Sequence, residues 1–222
     1  MEKICIIIPG FNEERHIGEV IKRTKNKGFK NIIFVDDGSD DKSAKIAEKC
    51  GAIVLKHIIN LGKGAAARTG CEYAIEHNFD IIILMDADGQ HKPEDIPRFL
   101  NALKEKDIVF GYRKLDKKMP PIMRFGNWFI NKVSEIVTGL KIKDTQSGFR
   151  CFYTKKYKKI QWNATNYSME SEMIVKVAKN KLKYTEIPID TIYLDTFKGT
   201  TIFDGIKVVL NILKFKILGG RE

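Results

Sequence analysis

Short apolar segments alternate with longer amphipathic segments through the first half of this chain, and that alternation constrains the fold more than any other feature. Strands are predicted at residues 4–8, 31–35, 52–55, 81–85 and 108–110. Helices are predicted between them at residues 13–25, 43–50, 63–76 and 93–104. A strand followed by a helix, repeated along a chain, predicts a mostly parallel central sheet flanked by helices. The expected fold class is therefore α/β.

After residue 113 the alternation gives way to a basic loop and an amphipathic helix at residues 124–140. Further elements are predicted as a helix at 170–179, a strand at 184–188 and a last helix at 203–218. The last helix is nearly all apolar, but it is interrupted by lysines and is shorter than the roughly 20 apolar residues that span a bilayer. It is expected either to lie on a membrane surface or to pack against the sheet as a core helix.

The strand predicted at residues 81–85 ends in two aspartates, Asp86 and Asp88, with Gln90 following. An apolar run of this length is typical of a strand buried on both faces, and its carboxyl end lies where open α/β sheets bind ligands. Side chains alternate along an extended segment, so these three side chains can point the same way. Carboxylate and amide oxygens suit a hard divalent cation that also holds phosphate oxygens. A metal and diphosphate site is predicted here, and a polar turn after a core strand is the simpler alternative.

The charge and the cysteines bear on partners and location. Lysine and arginine outnumber aspartate and glutamate by 39 to 28, for a formal net charge of +11. Such an excess attracts phosphates, nucleic acid or an anionic membrane without choosing among them, and a lysine-rich composition alone also explains it. The four cysteines are widely spaced and form no CxxC pair, which favours reduced thiols in a cytoplasmic protein.

Three acidic or glycine-rich turns follow consecutive predicted strands, at residues 9–13, 36–39 and 86–88. Their order and spacing resemble the GT-A glycosyltransferases of family 2, and more narrowly the branch that contains dolichyl-phosphate mannose synthase and polyprenyl-phosphate hexosyltransferases. Further motifs that carry the resemblance lie at residues 60–64, 86–91, 111–113 and 147–150.

The resemblance covers nearly the whole chain and implies a GT-A (Rossmann-like) fold with C-terminal amphipathic helices. It implies a single domain over residues 1–222, with a nucleotide-sugar half at about 1–113 and an acceptor- and membrane-facing half at about 114–222.

The resemblance also implies which residues form the site. Contacts to the nucleotide sugar are expected from Pro9, Phe11, Glu13, Asp37, Lys63, Asp86, Ala87, Asp88 and Arg113. Asp86, Asp88 and Gln90 are expected to hold Mg²⁺ or Mn²⁺. Catalysis is expected to depend on Asp88, Arg113 and Arg124, where the two guanidinium groups can hold phosphate oxygens in a bidentate manner. The turn that contains Lys63 opens a helix and can face phosphate, although helix packing explains its small residues equally well.

The activity implied is inverting transfer of a hexose from a nucleotide-diphosphate sugar to dolichyl or polyprenyl phosphate. The protein would then be associated peripherally with the cytoplasmic face of the membrane, with no nucleic acid as partner. Thr196 stands where the mannose synthases carry an arginine, and Gly89 where they usually carry a bulkier residue. A UDP-linked glucose or another hexose is therefore as plausible a donor as GDP-mannose.

Three alternatives remain open from the sequence. A family 2 enzyme that acts on a sugar hydroxyl would need a general base, for which Asp144, Glu170 and Glu172 are candidates. A sugar-phosphate nucleotidyltransferase would typically show a glycine-rich basic loop after the first strand, and residues 9–13 contain one glycine and no cation. A nucleic-acid binding module is suggested only by the net charge.

Overall fold

The computed structural model describes residues 2–113 and 121–190, without the side chains of residues 121–125 and 127. Thr196 and the helix predicted at residues 203–218 lie outside the described residues. The role of that C-terminal helix therefore stays a prediction.

The described residues form one seven-stranded, mostly parallel sheet. Its strands are β1 (Ile4–Gly10), β2 (Ile32–Asp36), β3 (Ile53–Lys56), β4 (Ile81–Leu84), β5 (Ile108–Arg113), β6 (Arg150–Tyr153) and β7 (Tyr184–Ile189). They are arranged in the order β3-β2-β1-β4-β6-β5-β7. Only β6 runs antiparallel to its neighbours, β4 and β5, in this part of the chain. The predicted α/β fold class is confirmed.

Helices cover both faces of the sheet. They are α1 (Ile17–Asn26), α2 (Ser43–Lys49), α3 (Lys63–Glu76), α4 (Ile96–Leu103), α5 (Pro121–Thr138), α6 (Tyr157–Ile160) and α7 (Met169–Lys179). Alternate residues of β1 serve the two faces: Ile7 packs in the same cluster as α3 and α7, and Ile6 in the cluster with α1 and α4. Helix α3 packs closely on the sheet at Gly70, which has no side chain; a Cβ there would come within 2.4 Å of Ile7.

The first helix begins at Ile17, later than the sequence predicts. The backbone amides of Asn12 and Glu13 donate instead to the hydroxyls of Ser39 and Ser43, at 2.9 and 2.8 Å. Asn12 adopts a left-handed backbone conformation with φ of 56°. The turn after β1 is thereby tied to the turn after β2, which keeps residues 9–13 at the carboxyl edge of the sheet.

The antiparallel strand β6 was not distinguished from its parallel neighbours by the sequence pattern. In the β4–β6 ladder, Leu84 at the carboxyl end of β4 pairs with Arg150 at the amino end of β6. The residues that precede Arg150 therefore continue past the end of β4, where Asp86 lies. This register delivers the loop at residues 144–149 to the same edge as the acidic turns.

Candidate functional site

A cleft of about 480 Å³ opens at the carboxyl ends of β1, β2 and β4. The amino end of α3 and the loop before α7 complete it. Its lining residues are Pro9, Gly10, Phe11, Glu13, Asp37, Asn60, Gly62, Lys63, Ala66, Asp86, Ala87, Asp88, Asn166 and Tyr167. Every residue predicted to contact the nucleotide sugar, except Arg113, therefore lines one cleft. Asn60, Asn166 and Tyr167 lie there too, although the sequence reasoning gave them no role.

A lysine between two carboxylates lies at the centre of the cleft. Lys63 Nζ is 2.6 Å from Asp86 Oδ1 and 3.0 Å from Glu170 Oε1. Burial acts to raise the pKa of Asp86, but the Lys63 ammonium outweighs it and, helped by His91, lowers that pKa to about 2. Burial opposes the charged form of Lys63 as well, yet the two carboxylates raise its pKa above the ordinary value. Both partners are therefore charged at neutral pH.

Gly148 makes this arrangement possible. A Cβ at that position would lie 2.5 and 2.8 Å from the two carboxylate oxygens of Asp86 and 2.9 Å from Lys63 Nζ. The loop that carries Gly148 is held by the buried guanidinium of Arg150, which donates to the carbonyls of Thr145, Ser147 and Glu170. The motif at residues 147–150 thus has a physical reason, which its sequence alone did not reveal.

Asp88 follows Asp86 at the edge of the cleft. Its Oδ1 accepts a hydrogen bond from the backbone amide of Gln90 at 3.0 Å, and Gly89 between them has a left-handed φ of 76°. His91 is buried behind the turn, accepts a hydrogen bond from the Asp86 amide at 3.1 Å and stacks on Phe149. Burial lowers the pKa of His91 below its ordinary value, although Asp86 and Asp88 act to raise it.

The side chains at this turn can be compared with the ligands that divalent cations usually have in proteins. Within residues 2–113 and 121–190, no three His, Cys, Asp or Glu side chains converge in the manner of a protein-only metal cage. Mg²⁺, however, is usually bound by one or two carboxylates together with substrate phosphates and water. Asp88 and Asp86 on the wall of a cleft that also holds Lys63 match that arrangement. Gln90 does not line the cleft, so its predicted role as a ligand has less geometric support.

Asp37 lines the cleft but also holds its rim. One carboxylate oxygen accepts from the Leu61 amide at 3.0 Å and lies 2.8 Å from His57 Nδ1. The other accepts from the Gly62 amide at 2.8 Å. His57 Nε2 is in turn 3.0 Å from the hydroxyl of Thr69. Asp37 therefore positions residues 57–62, in addition to its predicted contact with the nucleoside.

The glycine-rich turn before α3 has a packing function. The amides of Gly64 and Ala65 donate to the carbonyl of Thr165, at 2.7 and 3.1 Å. A Cβ at Gly62 or Gly64 would lie within 2.4 Å of the carbonyl oxygen of Thr165 or Ala164, respectively. These two helix amides are thus occupied by the protein itself. Of the proposed phosphate contacts in this turn, the Lys63 side chain is the one that reaches the cleft.

The two predicted phosphate-binding arginines lie at the end of β5 and in the first turn of α5. Arg113 ends β5 and forms a bidentate pair with Asp144, with N–O distances of 2.7 and 3.1 Å. Burial acts to raise the pKa of Asp144, but Arg113 lowers it overall. Arg113 lies outside the residues that line the cleft, although its charge contributes to the low pKa of Asp86. Arg124 lies in the first turns of α5, and its side chain is outside the described part of the structure.

The sequence is similar to those of known glycosyltransferases. The family model "Glycosyl transferase family 2" matches residues 5–174. UDP-N-acetylglucosamine–dolichyl-phosphate N-acetylglucosaminyltransferase of Methanococcus voltae is 34% identical, over 96% of this chain and 96% of that protein. Undecaprenyl-phosphate mannosyltransferase of Micrococcus luteus is 28% identical, over 84% of this chain and 82% of that protein.

The fold also has solved counterparts. Glucosyl-3-phosphoglycerate synthase of Mycobacterium tuberculosis, determined with Mn²⁺, UDP-glucose and phosphoglyceric acid, superposes with a TM-score of 0.72 at 17% identity. That superposition covers 97% of this chain and 80% of the synthase. The likeness confirms the expected GT-A architecture. Together with the family match over most of its length, it establishes that this chain belongs to glycosyl transferase family 2.

Proposed function

We propose that this enzyme transfers a sugar from a nucleotide-diphosphate sugar to a polyprenyl or dolichyl phosphate at the cytoplasmic face of a membrane. The observation that carries the proposal is the single cleft in which Asp37, Asp86, Asp88 and Lys63 converge at the carboxyl edge of the sheet. The relatives named for dolichyl-phosphate and undecaprenyl-phosphate transfer support the acceptor class. The donor is proposed to be a UDP- or GDP-linked hexose or N-acetylhexosamine.

The proposed binding of the sugar donor rests on the residues that line the cleft. Phe11, Glu13 and Asp37 are proposed to contact the nucleoside, and Lys63 the diphosphate. Asp88 and Asp86 would hold Mg²⁺ or Mn²⁺, and a solved neighbour with Mn²⁺ and UDP-glucose supports a metal of this kind. When bound, such a cation supplies Lewis-acid stabilisation of the departing diphosphate.

The acceptor half follows from the chemistry of a phosphate monoester. Its second pKa is near 6, so the nucleophile is largely dianionic at neutral pH and needs no general base. The three carboxylates considered from the sequence as a base toward a sugar hydroxyl are each paired with another group. Asp144 is paired with Arg113, Glu170 with Lys63, and Glu172 with two backbone amides. Arg113 and Arg124 are proposed to orient the acceptor phosphate by bidentate contacts.

An apolar loop beside the cleft supports association with a membrane surface. Ile58 is 99% exposed, Ile59 64% and Leu61 46%. Contiguous exposed aliphatic residues of this kind commonly mark an interaction surface. The Leu61 amide donates to Asp37, which holds the backbone of this loop at the rim of the cleft. No helix within the described ranges is long and apolar enough to cross a bilayer.

Ile58→Asp should therefore reduce transfer to a polyprenyl phosphate embedded in anionic vesicles by about tenfold or more, because withdrawing one isoleucine from an apolar phase costs roughly 2 kcal/mol. Transfer to a water-soluble short-chain acceptor should be unchanged. The matched control is Ile75→Asp, which alters an exposed isoleucine near the other end of α3 from the cleft. Equal losses with both acceptors, or equal losses in both variants, would argue against a membrane role for the loop.

The function itself is tested with a panel of UDP- and GDP-sugars, with Mg²⁺ or Mn²⁺, each with and without a short polyprenyl phosphate. We expect release of UDP or GDP that depends on the lipid phosphate, and the panel then names the donor. Nucleotide-sugar binding with transfer only to a sugar hydroxyl would support the proposed donor site and refute the proposed lipid-phosphate acceptor. Formation of a nucleotide sugar from a sugar phosphate would instead identify a nucleotidyltransferase.

A further inference from the structure

Glu170 is a buried carboxylate that forms an ion pair without a well-aligned hydrogen bond. It lies in the first turn of α7, is 2% exposed, and places Oε1 at 3.0 Å from Lys63 Nζ. Neither of its side-chain oxygens accepts a well-aligned hydrogen bond in the part of the chain that the structure describes. A buried carboxylate in that condition costs several kcal/mol relative to one in water. Its charge also favours the charged form of the buried Arg150 guanidinium, so any role beyond stability must be shown at Lys63.

The function of Glu170 is connected with the ion pairs of Lys63. Two carboxylates, Asp86 and Glu170, share one ammonium group. The closer contact is to Asp86, at 2.6 Å, and Asp86 is also the residue proposed to meet the ribose or the metal when the donor binds. In the proposed donor complex, Lys63 would therefore compete with the donor and the metal for Asp86.

We propose that Glu170 is a positioning residue that retains the Lys63 ammonium when the donor takes over Asp86. An ammonium group has three N–H donors, so Lys63 can keep its pair with Glu170 and still direct a donor to the diphosphate. Without Glu170, the ammonium has Asp86 as its one carboxylate partner at this site and competes with the ribose and the metal for it. This inference rests on the proposed donor site, and it does not depend on the identity of the acceptor.

Glu172, one residue beyond Ser171 on the same helix, is a matched contrast. Its carboxylate accepts hydrogen bonds from the amides of Asn163 and Ala164, at 2.9–3.0 Å, and pairs with Lys176 at 2.9 Å. It is as buried as Glu170, at 3% exposure. The two amides belong to the loop before α7 and Lys176 lies on α7 itself, so the role of Glu172 is structural.

The test compares Glu170→Gln with Glu172→Gln by calorimetric titration of UDP, and of GDP, in the presence of Mn²⁺, and by thermal unfolding. Glu170→Gln should weaken nucleotide binding by about tenfold, which corresponds to 1.4 kcal/mol, when affinity is measured well below the melting temperature of the variant. Glu172→Gln should lower the melting temperature, and any effect that it has on nucleotide affinity should persist in a Lys63→Met background, because it acts through the loop and not through the lysine. In a Lys63→Met background, Glu170→Gln should have no further effect on nucleotide binding.

Each other outcome overturns the inference in a recognisable way. A lower melting temperature with unchanged nucleotide affinity in Glu170→Gln would reduce Glu170 to a structural residue. The same loss of affinity with and without Lys63 would show that Glu170 does not act through the lysine. A wild-type protein that binds neither UDP nor GDP would remove the proposed donor site together with this inference. Nucleotide binding without transfer to a lipid phosphate would refute the proposed acceptor alone.

Discussion

Asp88→Ala should reduce transfer by about a thousandfold, the size of effect that follows loss of one electrostatic stabiliser of a transition state. Asp88 lies on the wall of the cleft, and its Oδ1 makes one local contact, to the amide of Gln90. Little of the fold depends on that contact, so the melting temperature should change by no more than a few degrees. The loss should appear in kcat at saturating donor, with either Mg²⁺ or Mn²⁺ present.

The control for this prediction is Asp40→Ala. Asp40 is an exposed acid in the turn after β2 and does not line the cleft. That variant should retain activity, which separates the loss of a specific carboxylate from a general change of charge at this edge. Full activity of the Asp88→Ala enzyme would refute the assignment of Asp88 to the metal and diphosphate.

Gly148→Ala should reduce transfer by about a hundredfold or more, because the added methyl group would displace the ion pair at the centre of the cleft. The new Cβ would stand 2.5 Å from Asp86 Oδ1 and 2.9 Å from Lys63 Nζ, distances that real Cβ atoms do not show. Asp86 or Lys63 must shift to make room for the methyl group, and that shift would disturb the 2.6 Å contact between them. Overpacking of this kind typically costs 1–3 kcal/mol of stability, and a fall of that order is expected here.

The loss of transfer and the loss of stability in Gly148→Ala can be separated by measuring activity and thermal unfolding on the same samples. Gly126→Ala in α5 is the control, since nothing in the described part of the structure lies within 4 Å of a Cβ there. It should be neutral or stabilising, because alanine is favoured over glycine in a helix by roughly 1 kcal/mol. Wild-type turnover in Gly148→Ala would mean that the ion pair tolerates the methyl group and that its geometry is not needed for catalysis.

Much of the donor side could be predicted from local sequence. The apolar runs of β1, β2 and β4 and the acids that follow them were read directly, and Lys63 was correctly placed as the first residue of α3. Parallel strands bring their carboxyl ends to one edge, so turns far apart in the chain were expected to meet there. The cleft confirms that they do. The nucleoside, metal and phosphate roles assigned to those residues remain predictions.

The sequence could not predict which polar groups of the chain form hydrogen bonds with one another. The Thr165 carbonyl takes the helix amides that were considered for phosphate, and Asp37 uses both oxygens to hold the loop before α3. The helix α1 starts only at Ile17 because Asn12 has a left-handed backbone conformation and the amides of Asn12 and Glu13 donate to Ser39 and Ser43. Each of these depends on a partner distant in the chain, which local propensity does not specify.

The sequence alone determined the alternation of strands and helices, the order of the acidic turns and the family to which they point, because hydrophobic period and turn residues are local properties. The tertiary structure decided that β6 enters the sheet in the opposite direction and carries Gly148 to Asp86. It also decided that Glu170, rather than Glu172, stands beside Lys63. Those choices are set by strand register and by the burial of charged groups, which exist only once distant segments have packed together.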